Sequence, residues 1–192
     1  MDGFLRCNCF SYACLLSLNM LLIINAVLAG STNYVELVCS KDSDQAFCRS
    51  ILTSDPHSQN ANFTGLANIA ITYASRSANA TAAKIQSLSR LEKDPRRKAN
   101  FAACATYYEG AIDSLTYASG DLASGQYLLL NLDGGRVNSE AISCENMFKS
   151  RSPLTRENYL LAQLGEIIKF DVVADGRGGA SVVMVKERQV WV

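Results

Sequence analysis

Histidine is nearly missing from this chain: 192 residues contain one, His57. Imidazole is the usual general base near neutral pH and a common metal ligand, so its scarcity removes most routes to acid–base or zinc chemistry. His57 itself lies in Ser54-Asp55-Pro56-His57-Ser58, where it reads as a solvated loop residue. Charge excess is missing too, because 18 Lys and Arg balance 18 Asp and Glu. A nucleic-acid footprint needs a basic surplus. The densest basic stretch, Arg96-Arg97-Lys98, is too short to hold a membrane surface. The chain also lacks a C-x-x-C redox pair, a G-x-S-x-G nucleophile elbow and a phosphate loop. Gly176-Arg177-Gly178-Gly179 has the glycines, but no strand precedes it and no Lys-Ser/Thr follows. Glu109 and Asp113 stand one turn apart and read as a solvated helix face, while Tyr73, Tyr107 and Tyr108 read as packing residues. No catalytic residue, metal site or cofactor is expected, and the chain reads as a binding protein.

What is present begins with an uncharged apolar run, FSYACLLSLNMLLIINAVLAG, after Arg6. It reads as a secretory signal over residues 1–29, cleaved after Ala29 or Gly30. The competing reading is an uncleaved anchor helix. Cysteine parity favours cleavage. Of seven cysteines, Cys7, Cys9 and Cys14 fall inside the signal, which leaves Cys39, Cys48, Cys104 and Cys144. An even set in an exported chain favours disulfides. Two sequons, at Asn62 and Asn79, agree with export and are candidate glycosylation sites.

Helical periodicity dominates the rest. Cys39 and Cys48 flank a polar turn in a helical hairpin over 33–56. Four longer segments follow over 64–174. The first, 64–92, takes Thr64 as N-cap and a stripe through Leu66, Ala70, Tyr73, Ser77, Ala80, Lys84, Leu88 and Leu91. The second starts at Asp94-Pro95 and ends at Ser124-Gly125, with the stripe Phe101, Ala105, Tyr108, Ile112, Leu115, Ser119 and Leu122. The third spans Gln126 to Lys149, with Tyr127, Leu130, Gly134, Val137, Ala141, Cys144 and Phe148 in line. Gly134-Gly135 costs that helix about 1 kcal/mol per glycine. The pair marks either a break or a patch where something approaches the backbone closely. The fourth follows Ser152-Pro153, with Thr155 as N-cap, and runs to about Ala174. The residues beyond, 175–192, fit no bundle position and read as a dispensable tail.

Four amphipathic helices with short links predict an all-α, up-down four-helix bundle behind the hairpin. Four cysteines allow three pairings. Sequential pairing suits this layout: Cys39–Cys48 closes the hairpin and Cys104–Cys144 ties the second long helix to the third. In the chain-entropy picture the two are worth roughly 2.5–3 and roughly 4 kcal/mol.

Several short motifs occur in a telling order: Cys39, Cys48, Leu52-x-Ser54-Asp55-Pro56, Asp94-Pro95, Cys104, Tyr108, Ala111-Ile112-Asp113-Ser114-Leu115, Ser124-Gly125-x-Tyr127 and Cys144-Glu145-x-x-Phe148. In them the chain resembles the plant invertase and pectin methylesterase inhibitor family over about residues 33–172. The resemblance implies a four-helix bundle with an N-terminal hairpin, sequential disulfides, a cell-wall location, and inhibition by occluding an enzyme's active-site cleft. Invertase-type members carry Pro-Lys-Phe near the start of the third long helix, where this chain has Gln126-Tyr127-Leu128. The partner implied is therefore pectin methylesterase, with acid invertase the alternative and a non-catalytic ligand-carrying bundle the more distant one. The resemblance also carries a partner face onto Thr106, Gly110 and Asp113 and onto Ser143 and Asn146. Only Asp113 keeps the family's acid there.

Overall fold

The computed structural model describes residues 34–149 and 152–169, and the expected signal and tail lie outside them. The described residues form six α-helices and one 3-10 turn, with no strand among them. Helices α1 (Tyr34–Cys39) and α2 (Gln45–Thr53) make the hairpin, and the 3-10 turn Pro56–Asn60 leads into the bundle. The bundle helices are α3 (Phe63–Leu91), α4 (Pro95–Ala123), α5 (Tyr127–Met147) and α6 (Thr155–Ile168). Packing runs α3 on α4, α4 on α5, α5 on α6 and α6 back on α3, the closed ring of an up-down bundle. This is the fold class the periodicity predicts.

Side-chain caps explain most of the starts. Asp44 accepts from the Phe47 amide ahead of α2, and Asp94 accepts from the Arg97 amide with Pro95 first in α4. Two expected caps are wrong. Helix α3 is capped by Asn62, whose Oδ1 accepts from the Gly65 amide, so Thr64 already lies inside the helix. Asn62 offers an acceptor three residues before that amide, one turn of reach that Thr64 cannot give to it. At α6 the cap position is Leu154, without a side-chain bond, and Thr155 is the first helical residue. Its hydroxyl is engaged elsewhere, donating to Glu145 Oε1 at 2.6 Å, with the Ser152 carbonyl a second acceptor at 3.1 Å that shares the one proton. The helix ends at Ile168, and residues 170–174 of the expected segment lie outside the described region.

The core stripes hold on one long helix, hold only at the large residues of a second, and shift on a third. On α5, Leu130, Gly134, Val137, Ala141 and Cys144 are buried as the period predicts. On α4 the large residues Phe101, Tyr108, Leu115 and Leu122 are buried, with Ala111 and Ala118 filling positions expected for Ile112 and Ser119. On α3 the stripe slides by one after Ala70. Ala74, Ala78, Thr81 and Ile85 are buried, while Tyr73 is 39% exposed and Lys84 faces solvent to pair with Glu157 at 2.6 Å. Alanine is what close helix approach requires, yet it carries little hydrophobic weight beside Tyr73 in a periodic reading.

Helix α5 runs unbroken through Gly134-Gly135. A Cβ on Gly134 would meet the Gly165 carbonyl oxygen at 2.8 Å, and one on Gly165 would meet the Asn138 nitrogen at 2.6 Å. The α5 and α6 backbones touch there, so Gly134 marks a close approach and not a break. Gly135 has nothing within 4 Å of its would-be Cβ.

Aromatic edges and a hydrogen bond help hold the hairpin to the bundle, beside the buried Val35, Val38, Ile51 and Leu52. Tyr34 sits edge-on to Phe63 at 4.7 Å between centroids, and Phe47 edge-on to Tyr159 at 6.0 Å. Tyr159 donates to Asp44 Oδ2 at 2.7 Å. The Phe47 amide first, and Tyr159 second, hold the Asp44 carboxyl below its usual range. The Cys39–Cys48 disulfide lies in the hairpin with both residues fully buried.

Candidate protein-binding face

Helices α4 and α5 run antiparallel, joined by the turn at Gly125 and by the Cys104–Cys144 disulfide. Gly125 has φ 70°, the left-handed conformation that lets the chain reverse within three residues. The disulfide, with Cα atoms 4.7 Å apart and both residues buried, fixes the register between the helices. Their outer sides make one two-helix face. On α4 it carries Thr106 and Asp113, both exposed, and the half-buried Gly110 between them. On α5 it carries half-buried Ser143 and exposed Asn146. The five residues proposed from the resemblance thus share this pair of helices.

Their surroundings differ. Asp113 has no hydrogen-bond or ion-pair partner among the described residues, so its carboxylate faces water. Gly110 is covered from across the helix pair: a Cβ there would meet Glu140 Oε1 at 3.0 Å. Burial raises the Glu140 carboxyl above the ordinary glutamate range. The sequence reading did not foresee Glu140 beside Gly110, because only the inter-helix register brings them together.

Behind the face a polar network, buried at Tyr108 and opening to solvent at Thr155, fastens three helices. Tyr108 of α4, fully buried, donates to Asn158 Oδ1 of α6 at 2.9 Å. Asn158 Nδ2 donates to Glu145 Oε2 of α5 at 2.7 Å, and Thr155 donates to the other Glu145 oxygen. Glu145 is thus an internal brace, although it sits in the sequence between Cys144 and the face residue Asn146. At the far end, Asp133 is 5% exposed and its Oδ2 has no partner. Burial, then the neighbouring Asp121 carboxyl, push it up to about 6.

The same reading also missed the exposed apolar residues of this face, Tyr117, Leu128 and Leu132. One signal was available: the 106–110–113 steps, extended by four, land on Tyr117. Of the sequons, Asn62 and Asn79 are both exposed. Asn62 uses its carbonyl oxygen to cap α3, whereas Asn79 donates its Nδ2 to the Ser75 carbonyl on that helix. An open groove of about 320 Å³ lies between α3 and α4, lined by Ile85, Arg90 and Phe101 among others. Among the described residues no group of three or more His, Cys, Asp and Glu is placed to hold a metal, and no helix is long and apolar enough to cross a membrane.

A sequence model of the plant invertase/pectin methylesterase inhibitor family matches residues 33–168. The chain belongs to that family. It is 34% identical over 123 residues to pectinesterase inhibitor 2 of Arabidopsis thaliana, covering 62% of this chain and 71% of that one. It is 30% identical over 122 residues to the cell wall / vacuolar inhibitor of fructosidase 2 of the same plant, covering 63% and 68%. Its fold superposes on the crystal structure of a mutant form of a pectin methylesterase inhibitor from Arabidopsis with a TM-score of 0.64 and 27% identity, over 69% of this chain and 92% of that one.

Proposed function

We propose that this protein is a non-catalytic, secreted inhibitor of pectin methylesterase that acts in the cell wall. It works by stoichiometric occlusion: α4 and α5 lie across the esterase's polymer-binding cleft, with Asp113 at the centre of contact and Thr106, Gly110, Ser143 and Asn146 around it. The observation that carries the reading is the joint likeness, in sequence and in fold, to pectin methylesterase inhibitors. Gln126-Tyr127-Leu128, in place of the Pro-Lys-Phe of invertase-type relatives, supports the esterase as target. Residues 1–29 serve as the export signal, residues 30–174 as the inhibitor domain with glycans at Asn62 and Asn79, and residues 175–192 as an appendage that inhibition does not need.

Acid invertase remains the second reading, because the fructosidase inhibitor is similar at 30% identity. Titrating the secreted protein against a plant pectin methylesterase and an acid invertase in parallel decides between them. Esterase activity is expected to fall linearly to an equivalence point near one inhibitor per enzyme, with invertase unaffected. Inhibition of invertase alone would reverse the assignment. Hydrolysis of pectin by the protein itself would remove the non-catalytic reading.

A further inference from the structure

The turn end of the α4–α5 pair exposes large apolar side chains in the same register as the proposed face. Tyr117, one step beyond Asp113 on α4, is 62% exposed. The disulfide Cys104–Cys144 and the meeting of Gly110 with Glu140 set the antiparallel register, which brings Leu132 of α5 opposite Tyr117. Leu132 is 53% exposed, and Leu128, one turn away on the same side, is 74% exposed. Isolated exposed leucines are ordinary on a protein surface, but three large apolar residues grouped at one end of a helix pair are not. The charges around them have a sign. From Thr106 to the turn and on to Glu140, Glu109, Asp113, Asp121, Asp133 and Glu140 stand against Arg136, an acidic balance, while Arg96, Arg97 and Lys98 lie at the far end of α4.

We infer that Tyr117, Leu132 and Leu128 form an apolar anchor that seats on the rim of an esterase cleft lined by aromatic and cationic side chains. This rests on the proposed function and deepens it. Pectin is a polymer of galacturonic acid. Aromatic rings suit the apolar sugar faces and neutral methyl esters of such a polymer, and positive groups suit the carboxylates that de-esterification leaves. An acidic face ending in exposed Tyr and Leu complements both. Aromatic and aliphatic anchors that become fully desolvated at an interface carry most of its binding energy, and the polar residues beside them set orientation. In this arrangement Asp113 orients the inhibitor and the Tyr117 end holds it.

The test uses the full secreted protein with Tyr117→Ala, Leu132→Ser and Leu128→Ser, and Leu91→Ser as the control. Leu91 is 78% exposed at the C-terminal end of α3, remote from the α4–α5 turn, so its loss reports any unspecific effect of removing surface leucine. Each variant is checked for folding by circular dichroism and for size by gel filtration, and then titrated against a pectin methylesterase. Tyr117→Ala is expected to weaken inhibition by about thirtyfold, and the two leucine variants by about fivefold to tenfold, the range for truncated interface anchors. Leu91→Ser is expected to inhibit as the parent does. Inhibition unchanged in all three anchor variants, while the parent inhibits, overturns the anchor and leaves the proposed function standing. So does a parent protein that self-associates through this patch, recognised as a dimer that Leu132→Ser dissolves without loss of inhibition. A parent that inhibits no esterase overturns both.

Discussion

Asp113 and Gly110 are three residues apart on α4, and the structure gives them opposite prospects. The Asp113 carboxylate is exposed and has no partner among the described residues, so Asp113→Ala has no folded-state bond to lose. Its melting temperature is expected to match the parent's. If the carboxylate meets a cation in a desolvated contact, its loss costs roughly 2–5 kcal/mol of binding, chiefly as faster dissociation. Surface plasmon resonance reads both rates, and an unchanged dissociation rate in a folded variant would move the centre of contact off Asp113. Gly110 is different. The family resemblance invites an acid there, yet a side chain would begin 3.0 Å from Glu140 Oε1, a carboxyl that burial already strains toward protonation. Gly110→Asp therefore sets two carboxylates together and is expected to destabilise the bundle by about 1 kcal/mol unless Glu140 swings out. Gly110→Asp with Glu140→Gln should recover most of that loss in a thermal melt. Nothing in the local sequence foretells this conflict, because Gly110 and Glu140 are thirty residues apart and meet only through the register of two helices.

At the scale of the helix, legibility depends on what fills the seam. The buried side of helix α5 could be read across two glycines because Leu130, Val137 and Phe148 mark it, whereas the continuity of the helix through Gly134-Gly135 came only from the structure. That of helix α3 could not, because alanines line its buried side beyond Ala70 while Tyr73 stands outside. A small residue is equally at home against a neighbouring backbone and in water, so periodicity alone cannot weight it. The candidate face shows the same division. Its residues on each helix follow from spacing and resemblance, whereas Glu140 and the Tyr108–Asn158–Glu145 brace behind it required three helices to be placed. The α5–α6 contact gives an element-level prediction. A Cβ at Gly165 would lie 2.6 Å from the Asn138 nitrogen and 2.7 Å from the Gly134 carbonyl oxygen, both backbone atoms that cannot rotate away. Gly165→Ala gains about 1 kcal/mol of helix propensity but forces the helices apart, an overpacking cost of roughly 1–3 kcal/mol. Net destabilisation is expected. Gly120→Ala, on α4 with nothing within 4 Å of the new Cβ, keeps the propensity gain without that cost and should stabilise by up to about 1 kcal/mol. Urea denaturation of the two variants should therefore shift in opposite directions, and a stabilised Gly165→Ala would deny the close contact.

For the whole molecule, stability should depend on pH through a carboxyl that the fold disfavours as an anion. Asp133 is almost fully buried between α5 and its neighbours, with one oxygen unpartnered and the Asp121 carboxyl beside it. Its carboxyl is pushed up to about 6 in the fold, against an ordinary value of about 3.9 in the unfolded chain. A group raised in this way binds its proton more tightly folded than unfolded. Its favourable contribution is complete below the unfolded value and is lost as pH rises through about 6. The groups facing it divide in sign. Asp121 of α4 disfavours the anion and Arg136 of α5 favours it, while Lys169, just past the end of α6, packs by Gly134 and is itself bound to Glu166. The raised Glu140 adds to the same trend. Carboxylates lowered by hydrogen bonds and ion pairs, such as Asp44, Glu92 and Glu157, act oppositely. Their contribution is present above the unfolded value and is lost as pH falls below about 4, outside the window where Asp133 titrates. Between about pH 4.5 and 6.5 the Asp133 effect should therefore dominate, at roughly 1–3 kcal/mol from a shift of about two pH units. The parent is expected to melt roughly 3–10 °C lower at pH 6.5 than at pH 4.5. Asp133→Asn places an amide donor beside the Asp121 carboxylate and removes the titration, so its melting temperature should be nearly flat across the window and above the parent's at pH 6.5. Equal slopes for parent and variant would show that Asp133 is ionised in the folded bundle throughout.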